Sequence, residues 1–323
     1  MRKLATMAAA ALAVLARPAA AQDWPTRAVT LVVPYAAGGP NDTIARVLSA
    51  RLAEILSAQI IIENVGGAGG MTGANRVAKA VPDGNTLLLG GLAVLAQIPN
   101  LYKRPLYNAA ADFEPVALLS DSARILITRK DFPANTLAEF VAYTKANEAK
   151  LQYSSAGGGS GGHVCALLLD TLIGTHVAHV PYRGAGPAMQ DMMAGRIDYS
   201  CEQISTAFPQ IAAGSVKAIA TLGPSRPSVL ASLPTAQEQG LSLDCSTWIA
   251  FVFPKGTPDP TVRRLAKATS EALDSPVVRE RLESVGVTVV SPDRRSPEYL
   301  AKFIPAEIAK WAGPIKASGV SID

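Results

Sequence analysis

Short apolar strands, glycine-bearing turns and helices alternate along the chain, and this alternation limits its fold more than any other feature. A strand at 28–35 (AVTLVVPY) leads through AAGGPND into a helical run, and a strand at 60–64 (IIIEN) leads through GGAGGMTGA into another. A second series begins near residue 124, where RILITRK precedes the helical run TLAEFVAYTKANE. Such alternation predicts an α/β protein in which helices cover both faces of parallel sheets.

Two extended stretches join the two series of strands, at residues 113–130 and 245–256. We expect both to cross between lobes, which makes the second lobe an insertion in the first. The prediction is two doubly wound sheets joined by a two-strand hinge, with a cleft at the carboxyl ends of the strands. The predicted boundaries are 22–123 with 248–323 for the first domain and 124–247 for the second.

Residues 1–21 have the layout of an export signal. Arg2 and Lys3 precede the apolar run LATMAAAALAVLA, and Ala19-Ala20-Ala21 offers an A-x-A cleavage site. The run is too short for a membrane span, so we predict a secreted protein. The whole chain carries a net charge of +4. Without this leader the charge is about +1, which gives no support to nucleic-acid binding.

The chain has three cysteines, and export permits a disulfide. Cys201 and Cys245 each end a strand-like run, so we predict that these two pair. Cys165 lies on an apolar helix face and is predicted to be a buried thiol. The cysteines and the three histidines lack the spacing of metal ligands, and we expect no metal and no cofactor.

The glycine turn SSAGGGSGGH at 154–163 fits the dinucleotide-binding pattern G-x-G-x-x-G, because it lies between a strand and a helix. The next strand, however, ends in Tyr182-Arg183 and has no acid to hold a ribose. The turn is also in the middle of the chain, whereas a nucleotide-binding half begins with this motif. These features argue against a dinucleotide cofactor.

The same turn fits the nucleophile elbow G-x-S-x-G, with Ser160 as the nucleophile. A hydrolase of that class needs an acid and then a histidine later in the chain. The last histidine is His179, so the triad is hard to complete. We prefer Ser160 as the N-cap of the following helix.

A third interpretation is anion binding, because glycines let an anion approach the free N–H groups at a helix N-terminus. The turn PYAAGGPND at 34–42 has the same design in the other series, and GGMTG at 69–73 follows the second strand. Two opposed turns would form a clamp for a small carboxylate. The alternative is that these glycines only permit tight connections. Hydroxyl donors near the turns are Tyr35, Thr72, Ser155 and Ser160.

Several motifs in order resemble the Bug-type extracytoplasmic solute receptors, the TctC-like binding proteins of tripartite tricarboxylate transporters. They include PYAAGGPND, GGAGGMTGA, YSSAGGGSGGH, VPYRGAGPAMQDMMAGRIDY and WIAFVFPKGTP. The resemblance covers nearly all of the chain after the leader. It implies a two-lobed periplasmic binding protein fold of the type II-like kind, which closes on a small carboxylate.

The resemblance also implies which residues touch the ligand. The first turn contributes Tyr35, Ala37, Gly38 and Asp42, and the second contributes Ser155, Gly157 and Ser160. Tyr182 and Arg183 match a segment at the cleft rim, where Arg183 either pairs with a carboxylate or lies in solvent between the lobes. Glu202 is placed to receive an ammonium or hydroxyl group of the ligand.

We therefore expect a monomeric periplasmic receptor that serves a membrane permease or a sensor protein. The alternative is an exported hydrolase or isomerase in the same cleft, which rests on Ser160 and the nearby His163. The effector half of a transcription regulator has a similar fold, but the leader and the lack of a DNA-binding segment argue against it.

Overall fold

The computed structural model describes residues 24–319 and 321–322, so the predicted leader lies outside the described residues. Within these residues, none of the helices combines the length and the apolar character needed to cross a membrane. The strands are β1 (Val29–Val33), β2 (Ile60–Asn64), β3 (Thr86–Gly91), β4 (Phe113–Ser122), β5 (Arg124–Arg129), β6 (Gln152–Ser155), β7 (Ala178–Pro181), β8 (Tyr199–Gln203), β9 (Val216–Leu222), β10 (Thr247–Pro254) and β11 (Thr288–Val289). The α-helices are α1 (Pro40–Leu56), α2 (Met71–Ala78), α3 (Ile98–Leu101), α4 (Leu137–Asn147), α5 (Gly161–Ile173), α6 (Ala185–Met193), α7 (Ile204–Ala212), α8 (Asp259–Asp274), α9 (Pro276–Glu283) and α10 (Pro297–Ala317).

The strands form two sheets, one in each lobe. The first has the order β11-β4-β10-β3-β1-β2, and the second has the order β7-β6-β8-β5-β9. The two-lobed α/β prediction is confirmed, but the sheets are mixed and not wholly parallel. β10 is antiparallel to β3 and β4, and β5 is antiparallel to β8 and β9. The hinge explains the difference, because β10 re-enters the first sheet from the other lobe.

The hinge consists of two closely placed crossings. β4 ends at Ser122 and β5 begins at Arg124, so a single residue separates the two sheets there. The chain returns through Cys245 into β10, which pairs with β4. This sheet membership supports the predicted domain boundaries, which we retain as a proposal.

Helix α1 illustrates how the sequence builds the lobes. Pro40 occupies its first turn, where a missing N–H costs no hydrogen bond. Ile44, Leu48, Leu52 and Leu56 recur at helical spacing and are buried. They form one apolar stripe against β1, β2 and α8, and this packing fixes the direction in which the start of α1 points.

The predicted Cys201–Cys245 disulfide is wrong, because Cys165 pairs with Cys245 and Cys201 is a buried free thiol. The Cα atoms of Cys165 and Cys245 are 5.7 Å apart. The N–H of Cys245 bonds to the carbonyl of Leu222, beside the edge strand β9. Cys201 lies in the central strand β8, with β5 between it and β9. Two strand spacings are roughly 9–10 Å, beyond the reach of a disulfide. Helix α5 packs on β8 and β6 and brings Cys165 to Cys245 within one apolar cluster.

Candidate functional site

A cavity lies between the lobes and has walls from both. The first lobe contributes Tyr35, Pro40, Asn41, Gly91, Leu92, Ala93, Thr247, Trp248 and Ile249. The second contributes Arg124, Ser155, Ala156, Ser160, Gly161, Gly162, Ala185, Cys201, Glu202 and Gln203. A molecule held there would contact both lobes at once.

Two long helices begin at this cavity from opposite lobes. Pro40 opens the 17-residue α1, and Gly161 opens the 13-residue α5, and both line the cavity. Ser160 caps α5, since its Oγ accepts a hydrogen bond from the N–H of His163 at 3.4 Å. The free N–H groups and the partial positive charge of a helix N-terminus favour an anion. The cavity is therefore favourable for negative charge from two sides.

Arg124 adds a full positive charge that the sequence analysis missed. It is the first residue of β5 and is only 5 % exposed. Its Nη1 donates to the carbonyl of Cys201 at 3.4 Å, and none of the ion pairs among the described residues involves it. The guanidinium packs on Gly161, where a Cβ would lie 2.2 Å from Nη2. An arginine at the start of an apolar strand, beside a predicted hinge, is the signal that could have identified it.

Glu202 faces the same cavity and is 7 % exposed. Its Oε1 accepts a hydrogen bond from the N–H of Gln203 at 2.8 Å. Burial raises the pKa of Glu202, and the nearby positive charge of Arg124 opposes that shift. Burial in turn lowers the pKa of the Arg124 guanidinium, and Glu202 opposes that shift. The cavity thus contains one positive and one acidic group, without a direct ion pair between them.

The structure brings four of the eleven predicted ligand residues into the cavity lining: Tyr35, Ser155, Ser160 and Glu202. Ala37 and Gly38 lie instead at an outer groove that also contains Gly186. Asp42 supports its own turn, since it accepts hydrogen bonds from the N–H of Gly38 and from Arg46. Burial would raise the pKa of Asp42, but these hydrogen bonds and one from Asn64 outweigh it and lower the pKa.

Thr72, Gly157, Tyr182 and Arg183 also lie outside the cavity lining. Thr72 is exposed at the start of α2, and the hydroxyl of Tyr182 donates to Asp191 at 2.6 Å. The side chain of Arg183 is exposed. Direct ligand contact by these four residues remains a prediction.

The lobes touch along a seam around the cavity, so the structure is the closed form. The N–H of Ala36 donates to the carbonyl of Arg183 at 3.0 Å. The hydroxyl of Tyr102 donates to the carbonyl of Gly158, also at 3.0 Å. Both hydrogen bonds join one lobe to the other, and they close the cavity without lining it.

A stack of aromatic rings supports the second glycine turn from below. The rings of His163 and His179 are stacked with centroids 4.1 Å apart, and Tyr153 stacks on His179 at 4.9 Å. Nδ1 of His163 accepts the N–H of Gly159 at 3.1 Å, and Nε2 of His179 lies 2.7 Å from Ser155 Oγ. Burial lowers the pKa of His163 to about 3 and that of His179 to about 4. Neutral imidazoles therefore hold this turn in place.

These contacts do not favour the hydrolase alternative. Ser160 accepts a backbone hydrogen bond as a cap, and its partner His163 is bonded to the turn through Nδ1. Ser155 does contact His179, but within the described residues no carboxylate orients that imidazole. A nucleophile and base without an orienting acid lack the third group of a catalytic triad.

The histidine stack predicts acid sensitivity in a defined window. Each imidazole is neutral in the folded protein but has a pKa near 6.5 when unfolded, so the unfolded chain binds more protons below that pH. Stability should therefore fall as the pH falls from about 6.5 towards 4. The raised pKa of Glu202 has the opposite effect on stability over this pH range, so the contribution of the histidines must be measured by comparing variants. His163→Gln with His179→Gln should flatten urea-unfolding free energies across this window, and the exposed His176→Gln should not. Equal pH profiles would contradict the prediction.

Comparison with known proteins places these features in a family. The sequence matches the tripartite tricarboxylate transporter family receptor over residues 44–320. A UPF0065 protein of Agrobacterium vitis is 40% identical over 303 residues, which are 93% of this chain and 87% of that protein. MatC from Rhodopseudomonas palustris, solved with bound malate, is 41% identical with a TM-score of 0.88, covering 90% of this chain and 100% of that one. The periplasmic binding protein BugD is 36% identical with a TM-score of 0.90, covering 92% and 99%. The resemblance found in the sequence is confirmed, and the chain belongs to the tripartite tricarboxylate transporter receptor family.

Proposed function

We propose that this protein is a periplasmic receptor that captures a small carboxylate between its lobes. One observation carries the proposal: the starts of α1 and α5, from opposite lobes, line one inter-lobe cavity together with the buried Arg124. A carboxylate there would accept hydrogen bonds from the guanidinium and from free helix N–H groups. The bound malate of MatC, and the adipate of another solved relative from the same organism, agree with this chemistry.

Capture needs no bond to break, because the ligand acts on the equilibrium between open and closed forms. A molecule that contacts both lobes stabilises the form in which the lobes meet. The hinge at Ser122–Arg124 and at Cys245–Thr247 is short, and closure about it brings Ala36 to Arg183 and Tyr102 to Gly158. The ligand is released unchanged when the lobes separate.

The closed form presents a surface that the open form lacks, and a membrane permease or a sensor protein can recognise it. Membership of a tripartite transporter receptor family supports a transporter as the next step, and we propose permease subunits as the partner. The leader-like residues 1–21 support delivery to the periplasm. Binding should be stoichiometric and should leave the ligand chemically intact.

Replacement of Arg124 tests the carboxylate site. Arg124→Gln should weaken dicarboxylate binding by about 2–3 kcal/mol, or roughly 30- to 150-fold, since a buried charge-assisted hydrogen bond is lost. Arg124→Lys should keep part of the affinity, because it retains the charge without the planar fork. Isothermal titration calorimetry with malate, succinate and adipate measures the change, and mass spectrometry shows whether the ligand is altered.

The matched control is Arg196→Gln in the same lobe, where the side chain is 70% exposed and pairs with Asp191. This variant should bind as the unmodified protein does. Undiminished affinity in Arg124→Gln, or turnover of any of the three acids, would contradict the proposed function.

A further inference from the structure

The cavity contains acceptor groups as well as the positive charge of Arg124. Glu202 and Gln203 end strand β8, line the cavity and are 7% and 8% exposed. In the sheet Gln203 lies opposite Arg124, and Glu202 lies opposite Ile125. The sheet therefore fixes the positions of Glu202 and Gln203, two consecutive polar residues at the end of the buried strand β8, relative to Arg124.

These acceptors are incompletely satisfied within the described residues. Oε1 of Glu202 receives the N–H of Gln203, while no donor from the described residues reaches Oε2 of this cavity-lining side chain. Oε1 of Gln203 is buried and has no hydrogen-bond partner in the described part of the chain. Arg124 does not fill the gap, because among the described residues its side chain donates from Nη1 to the carbonyl of Cys201 and makes no hydrogen bond to Glu202 or Gln203. A buried acceptor without a donor is destabilising, and more so when it is charged.

A ligand can supply the missing donors. We propose that Glu202 and Gln203 select carboxylic acids that carry a hydroxyl or ammonium group next to the carboxylate held by Arg124. This inference rests on the proposed function and adds the class of substrate. An unsubstituted acid places a methylene group against Glu202 and leaves the acceptors unpaired. A second carboxylate at that position meets a group of the same charge and is disfavoured.

Three four-carbon acids test the selection, because they differ only in one substituent: L-malate has a hydroxyl, L-aspartate an ammonium group and succinate a hydrogen. By calorimetry, the unmodified protein should bind malate or aspartate at least about tenfold more tightly than succinate, since a site built around a hydrogen bond rejects the analogue that lacks it. Glu202→Leu should reduce this preference to within about threefold.

Glu202→Gln separates the two donor types. A carboxamide still accepts from a hydroxyl, so the preference for malate over succinate should persist, whereas the preference for aspartate should fall because the negative charge is gone. Glu280→Leu, at an exposed position of α9, is the control and should change none of the affinities.

The outcomes distinguish this inference from the proposed function. If none of the three acids binds to the unmodified protein, and adipate also fails, the proposed function is overturned. If the acids bind but malate, aspartate and succinate have equal affinities, only the selection by Glu202 and Gln203 is overturned. The ratios of the affinities of the unmodified protein for malate, aspartate and succinate decide between these outcomes even if Glu202→Leu does not fold.

Discussion

Loss of the Cys165–Cys245 disulfide should lower the free energy of unfolding by about 4 kcal/mol, the largest stability effect that we expect from any pair of residues. The crosslink joins positions 80 residues apart, and a loop of that length strongly restricts the unfolded chain. It also ties α5, whose first turn lines the cavity, to the segment that leads into β10. Urea unfolding of the Cys165→Ala/Cys245→Ala variant, and of the reduced protein, should show the same loss.

Cys201 provides the control, because it is buried in the same apolar cluster but is not crosslinked. Cys201→Ala should cost much less, and its stability should still depend on reductant. Alkylation of the unreduced, unfolded protein should label Cys201 alone. A label on Cys165 would show that the pairing is wrong.

The alternation of strands and helices predicted most of the fold because it reflects burial, a local property of each segment. The apolar stripe of α1 and the all-buried strand β10 are both visible as runs of residues. The parallel or antiparallel orientation of a strand and the pairing of cysteines depend instead on which distant segments the fold brings together. The antiparallel β10 and the Cys165–Cys245 bond therefore could not be read from neighbouring residues.

The same distinction holds for the candidate site. Ser155 and Ser160 were predicted from a glycine turn that ends a strand and starts a helix, and both lie at the cavity. Arg124 was missed because its place in the cavity depends on the hinge. There the chain passes directly from β4 in the first sheet to β5 in the second, and Arg124 begins β5. Tyr182 follows a strand that ends near the cleft, but its hydroxyl donates to Asp191 and does not line the cavity.

The seam between the lobes shows why so many turns contain glycine. A Cβ on Gly69 would lie 2.3 Å from the carbonyl oxygen of Gly158, and one on Gly66 would lie 2.7 Å from that of Arg183. Both contacts join the two lobes backbone to backbone, so glycine is needed there for closure. Gly38 and Gly157 are less direct probes, since both have positive φ and substitution would also strain their own turns.

Gly66→Ala should therefore prevent full closure and reduce carboxylate affinity by at least about 100-fold, because a ligand-bound form that cannot bring the lobes together loses the contacts of one lobe. Gly66 lies in the first lobe with no positive φ, and an added Cβ would lie 2.7 Å from the carbonyl oxygen of Arg183 in the second lobe but 3.2 Å from the nitrogen of Ala36 in its own lobe, so the severe clash arises on closure. The ligand-free variant should unfold at nearly the temperature of the unmodified protein.

Gly313→Ala, at a helix position where a Cβ meets no atom within 4 Å, should bind normally. Calorimetry gives the affinities, and small-angle X-ray scattering gives the decrease in radius of gyration when malate, succinate or adipate is added. A Gly66→Ala protein that still contracts and binds as tightly as the Gly313→Ala control would show that the seam has no part in trapping the ligand.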